Sequence, residues 1–274
     1  MRIPDRFLYL VMLIAIVAVT GYWHESANAP PAPPPPGRGE MALFANFTPF
    51  SAISIINLPV DDQKTMTGTA FSIAQNGQWI IGADSVGTCS HPFLNIGGGL
   101  GVPFTVTRIP GIDNYVVGTT EGAGKPLPMV DPKTIQPGMR GFAVGFPAGE
   151  PGEATARLIG PTVIGRHKRF QHIEQVLAWA QAGRTAGIQG DLNQMLGGPM
   201  ITDQTSVVGV VLRESPRRGR IYTSTPETAA KLAATAPRAP DYEAGDTLTK
   251  RNYGIVADTL RREYRVAQVG CIKS

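Results

Sequence analysis

Residues 67–86 read TGTAFSIAQNGQWIIGADSV, and the fold class turns on them. The runs TGTAFSI (67–73) and QWII (78–81) are rich in β-branched and aromatic residues, with Asn76-Gly77 between them. Asn and Gly tolerate the positive φ that a tight hairpin turn demands, so the stretch predicts two antiparallel strands. Further β-rich runs bounded by turn residues occur at 104–108, 115–119, 141–145, 156–164, 199–201, 207–212 and 220–223, and 266–271 reads as a last strand. Short strands at such spacing indicate a sandwich or barrel. Helices are expected at 173–182, at 225–235, where Pro226 suits a first turn, and at 252–264. No internal repeat at a solenoid period is present.

Composition supports a globular chain. Its 274 residues allow one large domain or two small ones. Hydrophobic residues at 42% suffice for a core, and charged residues at 17% are too few for a solvated, disordered chain. A net charge of +4 is too weak to imply nucleic acid. Two cysteines exclude a disulfide-dense scaffold and a four-cysteine zinc site. No His/Cys/Asp/Glu cluster has metal-ligand spacing, so no metal is expected. Gly97-Gly98-Gly99-Leu100-Gly101 lacks the helix that a dinucleotide fingerprint needs, and no P-loop occurs, so no cofactor is expected.

The N-terminus addresses a membrane. Residues 7–23, FLYLVMLIAIVAVTGYW, carry no charge, and Arg2 and Arg6 precede them. At about 1.5 Å per residue a helix here would cover about 25 Å, the short end of the spanning range. The positive-inside rule keeps 1–6 cytoplasmic and exports the chain beyond Trp23, with Tyr22 and Trp23 at the interface. The alternative is a cleaved signal peptide: Ala27-Asn28-Ala29 has the small-x-small form, but the following Pro30 opposes cleavage. Residues 24–40 form a linker whose PPAPPPP (30–36) favours extended polyproline II, as a spacer or as a recognition motif. The expected location is the inner membrane, single pass, with domain 41–274 on the periplasmic side.

Two stretches resemble the trypsin/chymotrypsin-like peptidase family. The first is Gly68-Thr69-Ala70-Phe71-Ser72-Ile73 with its hairpin, running to Gly82-Ala83-Asp84-Ser85-Val86. Family members run GTAF or GSGF into a strand ending T-A-x-H-V or T-A-A-H-C. The second stretch is Gly190-Asp191-Leu192-Asn193-Gln194-Met195-Leu196-Gly197-Gly198-Pro199, followed by Val207-Val208-Gly209-Val210-Val211. It is similar to G-D-x-x-x-G-x-S-G-G-P and the strand after it. The resemblance covers roughly 67–225. It implies two packed six-stranded antiparallel β-barrels, a few short helices, and an active site in the cleft between the barrels.

Carried over residue by residue, the resemblance puts Ser85 where the family has its general-base histidine. Leu196 stands at the nucleophilic serine, Gln194 at the oxyanion glycine, and Asp113 at the orienting aspartate. Asp113 also reads as an ordinary turn residue before a strand. Attack on a carbonyl needs an oxygen or sulfur nucleophile and a base within hydrogen-bond reach. Leu196 offers no such atom, and Ser85 lacks the imidazole pKa of about 6.5. Losing either group costs on the order of a millionfold in turnover where such a triad has been dissected. His91, in a Ser-His-Pro turn, and His167 and His172, in or after a basic stretch, read as isolated surface histidines. Asp84, a strand neighbour of Ser85, should point to the opposite face.

The resulting expectation is a membrane-anchored, exported pseudo-peptidase that binds or assembles a protein partner in a membrane or envelope complex. An active trypsin-like endopeptidase with other catalytic residues, and a purely structural envelope subunit, are the alternatives. Cys89 and Cys271, placed by export in an oxidising compartment, are expected to pair; two unrelated buried thiols are the other reading. Arg213, Arg217, Arg218 and Arg220 cluster around Ser215-Pro216, as a solvated hairpin tip or as a contact for an acidic partner or anionic headgroups. The tail adds Arg251, Arg261 and Arg262 to that basic surface.

Overall fold

The structure, a computed structural model, describes residues 9–15, 49–59, 64–165, 173–185, 188, 191–237 and 247–272. The hairpin forms as read. β2 (Lys64–Ala74) pairs antiparallel with β3 (Gln78–Gly82), setting Phe71 opposite Ile80. Gly77 turns at φ +102, and a Cβ there would lie 1.9 Å from the Thr120 carbonyl oxygen, so the turn requires glycine.

The hairpin lies inside an eight-stranded sheet. Its order begins β1 (Ile56–Asn57), β5 (Leu100–Pro103), β4 (His91–Gly97), β14 (Val266–Ile272) and continues through β2, β3, β7 (Ile112–Thr119) and β6 (Thr105–Ile109). Only buried Phe104 separates β5 from β6. One bent segment therefore pairs with β4 at one end and with β7 at the other, joining the flanks of the ladder. The other half is a closed six-stranded barrel, in the order β10-β13-β12-β11-β8-β9. Its strands are β8 (Arg140–Gly145), β9 (Gly152–Gly165), β10 (Ile173–Arg184), β11 (Pro199–Ile201), β12 (Val207–Ser215) and β13 (Arg220–Ser224). The expected second six-stranded barrel is thus present. The first half departs from that expectation, because β1 and the C-terminal β14 join its ladder.

β14 comes from the far end of the chain and sits between β2 and β4, with Cys271 opposite Thr65 on one side and Pro92 on the other. That register brings Cys271 to Cys89, and the two form a disulfide with Cα atoms 5.9 Å apart. In the chain-entropy view, closing a loop of this length stabilises by roughly 3–5 kcal/mol.

Between 49 and 272 the described residues also form three α-helices: α1 (Ala83–Val86), α2 (Pro226–Ala233) and α3 (Tyr253–Arg262). Thr225 caps α2, its hydroxyl accepting from the Thr228 N–H at 3.3 Å, with Pro226 in the first turn as the sequence suggested. The expected helix at 173–182 is instead β10. Val176, Leu177, Ala178 and Trp179 are all buried there, between β9 on one side and β13 on the other. A short, continuous apolar run does not distinguish a helix from a strand buried on both faces, and the ladder partners decide. The strands β1, β4 and β5 were not foreseen, and His91 opens β4 rather than sitting in a turn.

The halves share one core. Phe71, Ile80 and Tyr115 from the sheet pack with Phe142, Val144 and Val210 from the barrel, and Tyr253, Val256 and Leu260 of α3 close over them. Arg261, expected on a basic surface, points inward. It pairs with Glu153 of β9, whose other oxygen accepts from the Thr185 hydroxyl at 2.6 Å, and it lies 5.8 Å from the Phe146 ring centroid. Burial raises the Glu153 carboxyl above its ordinary range, while the Arg261 charge and the Thr185 hydroxyl pull the other way. Among the described residues no helix is long and apolar enough to cross a membrane. Of 7–23 the structure describes 9–15, which are helical; the rest of that run and the linker lie outside the described residues.

Breaking a buried ion pair leaves a charge without compensation. Glu153→Ala should therefore lower stability to denaturant by about 3–5 kcal/mol, whereas the double change Glu153→Leu with Arg261→Met should recover most of that loss. Urea unfolding of the three proteins compares them directly.

Candidate functional site

The site is built around Thr69, which is fully buried in β2. Its N–H donates to the Leu196 carbonyl at 3.0 Å, and its hydroxyl donates to the Gln194 carbonyl at 2.7 Å. The same hydroxyl accepts from the Phe146 N–H at 3.2 Å. One threonine of the sheet therefore holds the 193–198 loop and the end of β8. Glycines make room for it: a Cβ on Gly197 would lie 2.4 Å from the Thr69 carbonyl oxygen, and one on Gly145 2.7 Å from its hydroxyl. At the other end of the loop, the Glu214 carboxylate accepts from the Leu192 N–H and pairs with Arg184 at 3.4 Å. Burial raises the Glu214 carboxyl, and the Leu192 N–H and Arg184 partly offset it.

Ser85 and Leu196, far apart in sequence, meet at Gly68. Ser85 lies in α1, not on a strand, is 4% exposed, and has no hydrogen-bond partner for its hydroxyl. It packs on the Gly68 backbone so closely that a Cβ there would lie 2.0 Å from the Ser85 Oγ and 3.1 Å from the Leu196 carbonyl oxygen. The helical turn leaves Asp84 exposed while Ser85 is buried. Gln194, at the loop position similar to an oxyanion glycine, holds φ at +70, and its side-chain oxygen is buried without a partner. That backbone conformation normally costs an L-residue about 1–2 kcal/mol, and here Thr69 and the Ala148 N–H to Asn193 carbonyl bond of 2.9 Å hold the loop in it.

Leu196 faces a cleft of about 740 Å³ between the halves, lined also by Asp84, Asp113, Leu212 and Arg213. Asp113 lies within β7 rather than in a turn before it, and is exposed. Ser85 lines a second cavity of about 530 Å³, with Asp84 and the Cys89–Cys271 bridge. The matched positions are thus split: Leu196 and Asp113 line the cleft, while Ser85 lines the second cavity. The described lining of the cleft holds no histidine, serine or cysteine; its hydroxyls are those of Thr225 and Thr228. His91 is exposed, and His167 and His172 lie outside the described residues. No cluster that could hold a metal occurs among the described residues.

The arginine cluster divides. Arg217 and Arg218 form the exposed hairpin tip over 216–218, with Arg220 opposite Ser215, whereas Arg213 lines the cleft. Past Val211, β12 pairs with β13 on one side only among the described residues, and Leu212 and Arg213 of that edge line the cleft. Thr69, Gly145 and the cleft carboxylates Glu174 and Glu227 were not singled out from sequence. Nothing local marks them, because their roles depend on contacts across the two halves.

No family model matches the chain, and no curated protein matches it. Solved structures do. The Rv3671c protease in its inactive form is 17% identical over 76% of this chain and 100% of that one, with a TM-score of 0.50. Its active form, from M. tuberculosis, is 18% identical over 80% of this chain and 94% of that one, also with a TM-score of 0.50. The MamO protease domain from Magnetospirillum magneticum is 17% identical over 65% of this chain and 93% of that one, with a TM-score of 0.48. For the two Rv3671c forms the likeness is one of fold, and it agrees with the trypsin-like architecture that 67–86 and 190–211 suggested.

The contact at Gly68 can be tested by a double-mutant cycle. Gly68→Ala should destabilise by about 1–3 kcal/mol through overpacking. Adding Ser85→Gly should restore much of that loss, giving a coupling of about 1 kcal/mol or more in chemical denaturation.

Proposed function

We propose that this chain is a catalytically inactive homologue of the trypsin-like peptidases, anchored in the inner membrane, whose exported domain binds a peptide segment of a protein partner in an envelope or membrane complex. The observation that carries the reading is Leu196 in the lining of the cleft, with Ser85 buried and outside that lining. Leu196 has no atom that can attack a carbonyl. The Ser85 hydroxyl is enclosed against Gly68 rather than presented to a substrate, and it is no base near neutral pH.

Binding needs neither group. An extended peptide can add as a strand to the unpaired edge at Leu212–Ser215, where main-chain hydrogen bonds supply affinity and the cleft accepts alternate side chains. The open cleft and this edge favour a peptide groove over a purely structural role. The apolar run 7–23 with its basic flank supports the anchor, and the polyproline spacer would keep the partner close to the outer face of the same membrane.

The purified protein should neither cleave peptides nor label with a serine-directed fluorophosphonate; stoichiometric labelling would sink the reading. The pair Leu196→Ser and Ser85→His should still give little activity, because Gln194 occupies the oxyanion position with its bulky side chain. For the anchor, intact mass of the mature protein should include 7–23, and extraction should require detergent. A mature chain starting at Pro30 would instead make the protein a soluble periplasmic one.

A further inference from the structure

The eight-stranded sheet ends on two edges that differ. At one end β1 has only two residues, which leaves little for another strand to pair with. At the other end β6 runs for five residues, Thr105-Val106-Thr107-Arg108-Ile109, and is hydrogen-bonded to β7 on one side only. Among the described residues nothing pairs with its outer edge. Both faces of the strand are open: Thr105, Val106, Thr107 and Arg108 are exposed, and Ile109 is half-buried. Four of the five residues are β-branched, which suits them to a ladder. The usual guards of an edge are sparse here. β6 contains no proline, its register shift falls at the hairpin end between Arg108 and Ile109, and Arg108 is its one charge.

From this we infer that β6 is the pairing edge of a homodimer, adding antiparallel to β6 of a second copy across a two-fold axis at Thr107. Such an axis sets Thr107 opposite Thr107, Val106 opposite Arg108, and Thr105 opposite Ile109. No like charges meet, the aliphatic stem of Arg108 covers the exposed Val106, and cross-strand threonine pairs are favourable. The neighbouring registers are worse. An axis at Arg108 sets the two guanidinium groups directly opposite each other. An axis at Val106 sets Arg108 against Phe104, which is buried and whose N–H already donates to the Pro92 carbonyl at 3.2 Å. The contact is small beside the roughly 1,200 Å² of a stable interface, so the dimer forms where chains are concentrated. The inference therefore rests on the anchor reading above, because chains tethered to one membrane meet at a raised effective concentration. β7 carries Ile112, Asp113 and Asn114 of the cleft lining, so the pairing sets two clefts on one continuous sheet.

Cysteine cross-linking reads the register, and among the described residues no native thiol is free to compete. Directly opposed residues of an antiparallel pair have Cα atoms about 4.5–5.5 Å apart, within disulfide range, whereas diagonal neighbours at about 7–8 Å are outside it. The full-length chain is reconstituted in phosphatidylcholine vesicles and oxidised with copper phenanthroline. Thr107→Cys should give a covalent dimer. Val106→Cys and Arg108→Cys should each stay monomeric alone, and should form a dimer when the two variants share a vesicle. The Thr107→Cys cross-link should form about tenfold or more faster than that of either other variant alone. Thr107→Cys thiols that react with maleimide yet give no dimer would overturn the inference, as would equal cross-linking at all three positions. Thiols closed to maleimide in a chain that gives no dimer would mean that the chain's own residues cover the edge, which also overturns it. Flotation of the same vesicles separates the two readings. A chain that floats with the lipid without cross-linking fails this inference alone, whereas one that does not float fails the anchor reading and this inference with it.

Discussion

The clasp of Thr69 on the 193–198 loop is the constraint on which the rest of the site depends. A single buried residue of the sheet half spends its N–H and its hydroxyl on the Leu196 and Gln194 carbonyls of the barrel half. Because Gly145 and Gly197 abut it, the two halves approach to backbone contact there. That approach fixes the cleft geometry without using any group that does chemistry. A fold built this way can keep its groove after the reactive side chains are replaced, since no catalytic atom takes part in the clasp.

The insertion of β14 has a related consequence. The sheet half lacks its strand between β2 and β4 until the last residues of the chain arrive, and the Cys89–Cys271 bridge then closes a sequence separation of 182. Such non-local pairing is slow to form, because loop closure comes before its reward. Once formed, it couples the two ends of the domain to one unit. The α3 helix that precedes β14 packs across both halves, and the Glu153–Arg261 pair ties that helix to the barrel. The smaller cavity is lined by Ser85 and by this bridge.

Much of the fold was legible in the sequence where local rules act alone. The Asn76-Gly77 turn, Pro226 in its first helical turn and the pairing of the two cysteines each follow from the chemistry of one or two residues. Reading failed where the environment decides. The run at 173–182 is helix or strand according to what borders it, and β9 and β13 border it. Arg261 reads as surface charge until Glu153 of a distant strand is brought to it. For the site, the family-like spacing put Leu196 and Gln194 on one loop, and Thr69 holds both of their carbonyls. It did not foresee that Ser85 turns inward onto Gly68, nor that Asp113 shares a cleft with Leu196 rather than with Ser85.

The central proposal is that the cleft keeps a peptidase shape without a histidine paired to a serine or cysteine within it. A crystal structure of the protein with a substrate-like peptide bound tests it most directly. The account predicts an intact peptide running along Leu212–Ser215, a side chain over Leu196, and the Ser85 hydroxyl still enclosed against Gly68. A histidine within hydrogen-bond reach of a hydroxyl or thiol beside the peptide carbonyl, or a cleaved peptide in the groove, would contradict it.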